Sequence, residues 1–497
     1  MADESLTPVD KLLEALRWDA RHFGPDLSTT AFERGLAVTD KTTGEPTPIP
    51  ITATPVVIAK AELLRRQKLA SLLASAGLKM SRAICLGSAK ELVLGALSPL
   101  ERKLCEATVA TTDTLVTTRV DFFVGAKVNA LELNATIPAM QAYSDIAANT
   151  LIEVAGRFWG MQPHVIAALW AKNGSNALAL YRALLSGYAK VRPKRTPERI
   201  GLLLRRNDSQ LTEQKYLCER FREYGLEADL LYPDQLSGED AVLADGKRYD
   251  LIYRHLFVRR LEEPDMRGGE YVRALLAEPN GKRAVVLNPP ASHVEVKAAF
   301  ALLSVATEDR ALAKDAGLTE QELLAIKESV PWTRPFRGDE LLAKIAAEPD
   351  RYVIKRSWDY GGRAVFVGRT RTQPSFDERV RAAYGSSLSW EELCKRAIDD
   401  RVGGGFVVQE LVETRPEPHL LCSGRSQTPA DLYVDFSAYA SVGLDKEPAW
   451  GGVCRGSLSH IVNIVGGGGV IPLLTDEVAA SLLNARVADV HPGLIKR

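Results

Sequence analysis

The chain has 497 residues, which is enough for about two to four domains and a large apolar core. Its 63 basic and 63 acidic residues give a formal net charge of zero, so no overall field attracts nucleic acid or an acidic membrane surface. Six scattered cysteines form no Cys-x-x-Cys pair, which argues against a zinc site and a disulfide framework. No secretion signal and no membrane-spanning apolar run is expected. These features predict a cytoplasmic protein that binds neither nucleic acid nor membrane; they indicate no oligomeric state.

The N-terminal part, residues 1–100, is predicted to be mainly helical. A short amphipathic helix is expected around Leu12, Leu13 and Leu16, followed by a Pro- and Thr-rich connection up to about residue 50. Apolar positions near a 3.6-residue period predict further helices over residues 59–80 and 89–110. No motif in the first 50 residues indicates a function.

Residues 101–140 contain the first candidate site, two short strands joined by a tight turn. Strand alternation places Arg119 and Asp121 on one face of the first strand, and Glu132 and Asn134 on one face of the second. If the strands pair, two carboxylates, an amide and a guanidinium share a face, and apolar residues cover the other. Carboxylate and amide oxygens are ligands that Mg²⁺ takes, usually together with substrate phosphates. The alternative is a surface hairpin with a polar face.

Residues 141–195 are predicted to form a helical connection that ends in a basic, proline-broken stretch. Residues 196–300 then alternate strands with helices, which is the pattern of a small parallel-sheet domain. Ligands of such sheets bind outside the carboxyl ends of the strands, where this chain carries Arg205, Arg206 and Arg254. A basic rim would suit an anionic substrate, with Arg254 as the candidate substrate-binding residue. The alternative is a solvated loop.

Residues 301–497 hold the second group of candidate residues. One predicted strand ends on Lys355, and Gly361 and Gly362 join it to another strand. The backbone N–H groups of such a glycine loop can close over phosphates, with the lysine as a point charge beside them. The glycine pair alone is also compatible with an ordinary turn.

A later apolar strand runs into Gln409, Glu410 and Glu413. Its backbone could meet an adenine edge and its carboxylates could meet ribose hydroxyls. The alternative is a strand end with solvated glutamates.

The last candidate segment begins at Arg455, which follows a Gly-Gly pair. A strand over residues 458–464 is expected to contain Asn463. Four consecutive glycines, 466–469, indicate backbone that approaches a ligand closely, or else a mobile linker.

The order of these segments resembles the ATP-grasp carboxylate–amine ligases. Those enzymes close with an acidic strand and a Glu-x-Asn strand that bind the metals, whereas here Asp121 and Glu132-x-Asn134 lie towards the N-terminus. The chain therefore resembles the circularly permuted ATP-grasp group related to glutathionylspermidine synthase. The resemblance spans most of residues 30–475 and includes residues 288–297, which look like the entry into the ATP-binding region. It implies an α/β (α+β) ATP-grasp fold, circularly permuted, with a small parallel-sheet domain before it.

The resemblance also implies roles for individual residues. The residues that would bind ATP are Lys355, Lys297, Gly361, Gly362, Gln409, Glu410, Leu411, Val412, Glu413, Asn463, Gly467 and Gly468. The residues that would hold Mg²⁺, with Mn²⁺ as the alternative metal, are Asp121, Glu132 and Asn134. The residues that would act on the transferring phosphate are Arg455, Arg119 and Lys355.

The implied activity is ADP-forming ligation of a small-molecule carboxylate to an amine through an acyl phosphate. Cations offset the repulsion between the carboxylate and ATP, and a closing glycine loop excludes water from the mixed anhydride. A phosphotransferase on the same scaffold and a non-catalytic nucleotide-binding module remain as alternatives. A dinucleotide-dependent oxidoreductase is disfavoured, because no Gly-x-Gly-x-x-Gly follows the strand that ends at Leu204. The sequence identifies neither substrate and indicates no role for residues after 475.

Overall fold

The structure is a computed structural model that describes residues 6–359, 361–444, 451–464 and 468–490. The described part is a mixed α/β protein with several sheets, as expected. Its strands are β1 Ala37–Thr39, β2 Pro46–Pro48, β3 Ile51–Thr52, β4 Val56–Ile58, β5 Leu115–Val124, β6 Val128–Asn134, β7 Arg199–Leu203, β8 Glu227–Leu231, β9 Val242–Ala244, β10 Lys247–Tyr249, β11 Leu251–Arg254, β12 Val285–Leu287, β13 Thr333–Pro335, β14 Tyr352–Arg356, β15 Val365–Val367, β16 Phe406–Glu410, β17 Glu417–Ser423, β18 Ser426–Val442, β19 Gly452–Ser457, β20 Gly469–Ile471 and β21 Leu473–Thr475.

The helices lie between and around these strands. The α-helices are α1 Pro8–Glu33, α2 Lys60–Leu86, α3 Glu91–Leu94, α4 Pro99–Thr108, α5 Gln141–Phe158, α6 Pro163–Asn173, α7 Asn176–Val191, α8 Leu211–Glu223, α9 Gly269–Ala277, α10 Ser292–Glu295, α11 Lys297–Ala306, α12 Arg310–Asp315, α13 Glu320–Ser329, α14 Asp339–Ala347, α15 Pro374–Tyr384, α16 Trp390–Asp399 and α17 Asp476–Val490. Short 3₁₀ turns occur at Pro233–Gln235, Val258–Glu262, Pro349–Arg351, Gly368–Thr370 and Val402–Gly404.

The largest sheet has seven strands in the order β17-β3-β20-β19-β18-β5-β6. Strands β5 and β6 pair antiparallel, with Arg119 opposite Asn134 and Asp121 opposite Glu132, so the predicted hairpin and its polar face are confirmed. Strand β5 also pairs with the long strand β18, which joins this hairpin to strands from the C-terminal third. The opposite face of the hairpin packs in the core, where Phe122 is fully buried against α2 and its neighbours.

A second sheet has the order β12-β11-β7-β8, and all of its strands are parallel. This confirms the parallel sheet predicted within residues 196–300. The third sheet, in the order β13-β16-β14-β15, is antiparallel and contains the predicted strand with Lys355. An aromatic core that includes Phe366, Trp390 and Phe406 supports it. The limits proposed for the five segments of the chain remain predictions.

Three expectations about elements were wrong. Helix α1 has 26 residues rather than a few turns, because a capping box between Thr7 and Asp10 starts it and buried residues continue along it past Pro25. The helix expected over 89–110 is two helices, since Ser98 caps a new one at Pro99. The strand expected over 458–464 is a loop: the described strand is β19, which ends at Ser457 where its pairing with β18 ends.

The expectation that no apolar segment could span a bilayer also needs correction. Among the described residues, one helix, Lys60–Leu86, is long and apolar enough by length and composition, with a mean hydropathy of 1.3. In this structure 56% of that apolar window is buried inside the protein. Residues such as Leu73 and Ala76 belong to the largest hydrophobic core, so this helix has a packing role in the fold.

His293 in α10 is fully buried, and neither of its ring nitrogens has a hydrogen-bond partner among the described residues. Burial and then the neighbouring charge of Arg82 lower the pKa of His293 to about 4. The unfolded chain binds this proton near the ordinary value of 6.5, so between about pH 6.5 and pH 4 the unfolded state binds more protons than the native state. This histidine therefore lowers stability as the pH falls below 6.5.

We predict that His293→Leu reduces the stability lost between pH 7.5 and pH 5.5 by on the order of 1 kcal/mol. Urea unfolding of both proteins at the two pH values measures the difference. The exposed His164→Leu serves as the control and should leave the pH dependence unchanged. Equal pH dependence of His293→Leu and the unaltered protein would contradict the prediction.

Candidate functional site

Two joined pockets lie between the large sheet, the antiparallel sheet and the carboxyl ends of the parallel strands. The larger, here called the polar cavity, has a volume of about 750 Å³. The smaller, here called the slot, has about 110 Å³ and lies against the antiparallel sheet. The residues that line both are Glu132, Lys297, Asp359, Gly361, Gly362, Arg455 and Val462. Five of the predicted site residues therefore meet where the two pockets join: Glu132, Lys297, Gly361, Gly362 and Arg455.

A buried charge network lies at the back of this junction. Arg119 donates to both carboxylate oxygens of Asp121, at 2.7 and 3.0 Å, and to the carbonyl oxygen of Ala139 at 3.0 Å. Arg455 on β19 donates to the same Asp121 carboxylate at 2.9 Å. Burial alone would raise the pKa of Asp121, but the two guanidinium groups outweigh it and hold this pKa well below its ordinary value.

Asp435 on β18 completes the network, and the sequence analysis did not identify it. It is buried, pairs with the side chain of Arg455 through both oxygens, and accepts the Arg455 backbone N–H at 3.1 Å. Burial raises the pKa of Asp435, and the charge of Arg455 opposes that rise. The available signal was a carboxylate within the mostly apolar residues 432–440 of β18, because a buried charge needs a partner.

Two lysines and one carboxylate lie in front of the network. Lys297 at the start of α11 pairs with Glu132 at 3.2 Å, and a third of the Glu132 side chain is exposed to the cleft. Lys355 donates to the Gln409 side chain at 2.7 Å. Burial lowers the pKa of Lys355 to about 8, although Glu132 opposes this. Burial raises the pKa of Glu132, but Lys297 and Lys355 together outweigh it and the net shift is downward.

The loop after β14 carries a carboxylate, Asp359, that the sequence did not single out. Asp359 lines both pockets, and its carbonyl oxygen accepts a hydrogen bond from Lys297 at 2.9 Å. The preceding Trp358 donates its indole N–H to Glu101 at 3.1 Å, and Ser292 donates to the same carboxylate at 2.9 Å. These bonds anchor the base of the loop to α4 and α10.

The glycines of this loop adopt conformations that side chains disfavour. Gly361 and Gly362 have φ angles of 70° and 72°, and a Cβ on Gly362 would lie 2.8 Å from Ile461. The Asn463 side chain donates to the Gly361 carbonyl oxygen at 2.9 Å, which ties the loop to the segment after β19. The two glycines thus line the junction, and the ability of their loop to close over phosphates remains a prediction.

The slot is lined by apolar side chains above the end of β16. The apolar lining residues are Phe123, Leu131, Val353, Val365, Val367, Leu411, Val412, Ile461 and Val462. Gln409 and Glu410 also line it, whereas Glu413 points away and pairs with Arg369 on the surface. An apolar space with this lining can accept an aromatic ring.

Two further predicted residues lie elsewhere. A Cβ on Gly468 would lie 1.7 Å from the Gly456 carbonyl oxygen, so this glycine allows close packing against β19 and does not line either pocket. Gly467 lies outside the described residues.

Arg254 is buried with 1% exposure and does not line the polar cavity. It donates to the carbonyl oxygens of Asn288 at 3.2 Å and Pro289 at 3.1 Å, which gives it a role in shaping that loop. The next residue, His255, lines the cavity instead. It donates to Gln210 at 3.0 Å and accepts from Gln214 at 3.2 Å, and burial lowers its pKa.

The donor set at the junction fits a hard divalent cation only in part. Among the described residues no group of three or more His, Cys, Asp or Glu side chains is arranged as a metal site. Glu132 and Asp359 nevertheless line the junction, with the Asp359 carboxylate 4.0 Å from the Arg356 guanidinium. The buried side-chain nitrogen of Asn134 has no partner among those residues. Two carboxylates and an amide suit Mg²⁺ when phosphate oxygens and water supply the other ligands. Asp121 is less available, because both of its oxygens accept from arginines.

Comparisons with known proteins identify the fold and nothing finer. No protein-family model matches the sequence, and no curated protein matches it. A solved structure of a glutathione synthetase-like effector from Globodera pallida superposes with a TM-score of 0.58, at 9% identity, over 91% of this chain and 96% of that one. The shared property is the fold. A candidate gamma-glutamylcysteine synthetase from Methylobacillus flagellatus gives a TM-score of 0.38, at 12% identity, over 84% and 97% of the two chains.

We predict that Asp435→Asn lowers the free energy of unfolding by about 3 kcal/mol, because it leaves the buried Arg455 with one carboxylate partner fewer. Urea unfolding measures the change. Asp377→Asn, which removes the same charge from an exposed pair with Arg381, should leave the free energy of unfolding nearly unchanged. Equal losses in the free energy of unfolding for the two substitutions would contradict a stabilising role for the buried charge network.

Proposed function

We propose that this protein is an ATP-dependent, ADP-forming carboxylate–amine ligase of the circularly permuted ATP-grasp type. The fold it shares with a protein named as glutathione synthetase-like supports this proposal. The order of motifs in the sequence supports it independently. The hairpin at residues 115–134 comes early in the chain, yet it pairs with β18 from the C-terminal third, as a circular permutation requires.

The observation that carries the proposal is the junction between the two pockets. An apolar slot of the kind that takes a nucleobase opens into a large polar cavity, and the residues at the boundary are two carboxylates, a lysine, an arginine and a glycine loop. A ligase needs such an arrangement, because the γ-phosphate must lie where nucleotide and acceptor meet. A simple nucleotide-binding module has no need of the second cavity.

The slot would hold adenosine and the junction would hold the phosphates. Leu411 and Val412 would contact the base, and Gln409 would keep Lys355 directed at the phosphates. Lys297 would neutralise a second phosphate oxygen, and Gly361 would bring backbone N–H groups near the transferring group. The cations around the junction, Arg119, Arg455, Lys297 and Lys355, are balanced by the carboxylates Asp121, Glu132, Asp359 and Asp435. An ATP tetra-anion that arrives with two divalent cations adds no net charge to this balance.

The metal would be held by Glu132, Asp359 and Asn134, and it would supply charge neutralisation to the transferring phosphate. Asp121 would act mainly by positioning Arg119 and Arg455, whose guanidinium groups it holds at the cavity wall. In this assignment Asp359 replaces Asp121 in the expected triad of Asp121, Glu132 and Asn134.

The reaction would proceed in two displacements. An acceptor carboxylate oxygen attacks the γ-phosphorus, the bond to the β-phosphate oxygen breaks, and ADP leaves. The amine then attacks the acyl carbon of the acyl phosphate, the C–O bond breaks, and inorganic phosphate and a proton are released. Arg119 and Arg455 would stabilise the negative charge that passes through the junction in both steps, and the glycine loop would exclude water from the mixed anhydride.

We predict that Glu132→Gln keeps the fold and lowers substrate-dependent ADP release by about 10²–10³-fold, as expected when one electrostatic stabiliser is lost. The assay supplies MgATP with pools of amino acids, small peptides and polyamines, and it measures ADP, phosphate and the product. Glu391→Gln, in an exposed pair on α16, is the matched control and should keep full activity. Near-normal turnover by Glu132→Gln would refute the metal assignment, and a stable phosphorylated product without a new C–N bond would indicate a phosphotransferase.

Because Lys355 has a pKa near 8, it carries its charge below that pH and loses it above. We predict that the affinity for MgADP weakens by up to about tenfold between pH 7.5 and pH 9 as this lysine deprotonates. Lys355→Arg should remove this dependence, since arginine stays charged, whereas Lys395→Arg on α16 should retain it. Calorimetric titration measures the affinities. A constant affinity for the unaltered protein across this range would exclude the proposed phosphate contact.

A further inference from the structure

The exposed face of helix α1 carries an aromatic residue where charged residues are usual. The opposite face packs in a hydrophobic core, and Leu12, Leu16 and Leu27 on it are fully buried. Trp18, on the other side of the helix, is 60% exposed to solvent. The solvent face of a surface helix is normally polar, so a large apolar ring in its middle is a candidate contact for another molecule.

Trp18 belongs to a surface group, here called the aromatic cluster, that also contains Arg21, His22 and Phe158. The Arg21 guanidinium lies 3.9 Å from the centre of the Trp18 ring, and its Nε donates to His22 at 3.1 Å. The His22 ring stacks on Phe158 at the end of α5, with the ring centres 6.0 Å apart, and Phe158 is 43% exposed. Tryptophan, phenylalanine and arginine are enriched at the centres of protein interfaces.

Charged residues of alternating sign flank the aromatic cluster along α1. In chain order they are Lys11, Glu14, Arg21 and Asp26. All four are exposed, and none of them forms an ion pair with another residue that the structure describes. Arg17, one turn from Glu14, donates to the Pro418 carbonyl oxygen at 2.9 Å instead. The charges on this face therefore lack partners within the described chain.

The order of these charges is self-complementary about Trp18. At a rise of about 1.5 Å per residue, Glu14 lies about 6 Å before Trp18 along the helix axis, and Arg21 lies about 4.5 Å after it. If a second α1 runs antiparallel with the two Trp18 side chains in contact, each Glu14 lies opposite Arg21 of the other copy. Lys11 and Asp26, each about 10–12 Å from Trp18, meet in the same way. At about 100° per residue, Glu14 and Arg21 lie on the same side of Trp18, as a two-fold axis requires.

We propose that the exposed face of α1 is a docking surface for a second copy of this chain, in an antiparallel, two-fold symmetric arrangement centred on Trp18. The two copies of Trp18 form the apolar centre, and Glu14–Arg21 and Lys11–Asp26 pairs form the charged rim on both sides. Helix α1 has 26 residues and is therefore about 39 Å long. One helix face and the end of α5 give an interface at the lower end of specific contacts, so the dimer is reversible.

Sedimentation velocity of the full-length protein over a concentration series measures the association. We expect a reversible change from one chain to two, with a dissociation constant on the order of 10 μM. Glu14→Arg places arginine against arginine in both halves of the interface, Arg21→Glu places glutamate against glutamate, and each should weaken association by about tenfold or more. Trp18→Ser removes the apolar centre and should have a similar effect. Glu391→Arg, the same charge reversal on α16, should leave association unchanged.

Mixing the two charge variants tests the antiparallel geometry. Glu14→Arg and Arg21→Glu, each impaired alone, should form a mixed dimer in which every 14–21 pair again joins opposite charges. The double variant Glu14→Arg/Arg21→Glu should associate as the unaltered protein does, within about threefold. A mixture of Glu391→Arg and Lys395→Glu has the same opposite net charges and should associate no more strongly than either variant alone. This control separates the local pairing from attraction between whole molecules.

A protein that is monomeric at every concentration overturns this proposal and leaves the aromatic cluster to a different macromolecule. A dimer that Glu14→Arg and Trp18→Ser leave intact also overturns it, because another surface then makes the contact. Failure of the mixed charge variants to associate contradicts the antiparallel pairing and overturns the proposal as well. None of these measurements requires ATP or a substrate, so their outcome is independent of the proposed ligase activity.

Discussion

The pairing of two buried arginines with two buried carboxylates is the constraint on which the centre of this molecule depends. Arg119, Asp121, Asp435 and Arg455 lie on three neighbouring strands, β5, β18 and β19, and each charge is compensated only when those strands are in their present register. A shift by one residue would turn each of these side chains to the apolar face, where an unpaired charge costs several kcal/mol. The network therefore fixes both the sheet and the wall of the cleft.

This constraint explains how distant segments of the chain form one cavity. The hairpin of β5 and β6 brings Glu132 and Asn134 to the sheet edge, and the antiparallel sheet brings Lys355 and the glycine loop opposite to them. The parallel sheet then closes the other end with the ends of its strands. Apolar contacts hold these layers together, but the paired charges decide which residues face one another.

Features that depend on residues close together in the chain could be predicted from the sequence. Alternation along residues 118–134 predicted the shared face of Arg119 and Asp121, and a run of apolar strands predicted the parallel sheet. Features that depend on distant partners could not be predicted in this way. The role of Asp435 depends on its pairing with Arg455, which is distant in the sequence. Arg254 has the position of a substrate ligand in the sequence, but in the structure it donates to backbone carbonyl oxygens. The length of α1 was missed because a capping box outweighed the proline within it.

The central claim is that the slot and the junction bind a nucleotide with its metal. Calorimetric titration of the full-length protein with ATP, once with Mg²⁺ and once with a chelator, tests this claim most directly. The account predicts saturable binding of one ATP per chain, and weaker binding when Mg²⁺ is removed, because Glu132 and Asp359 then face the phosphates without an intervening cation. The absence of ATP binding under both conditions would contradict it.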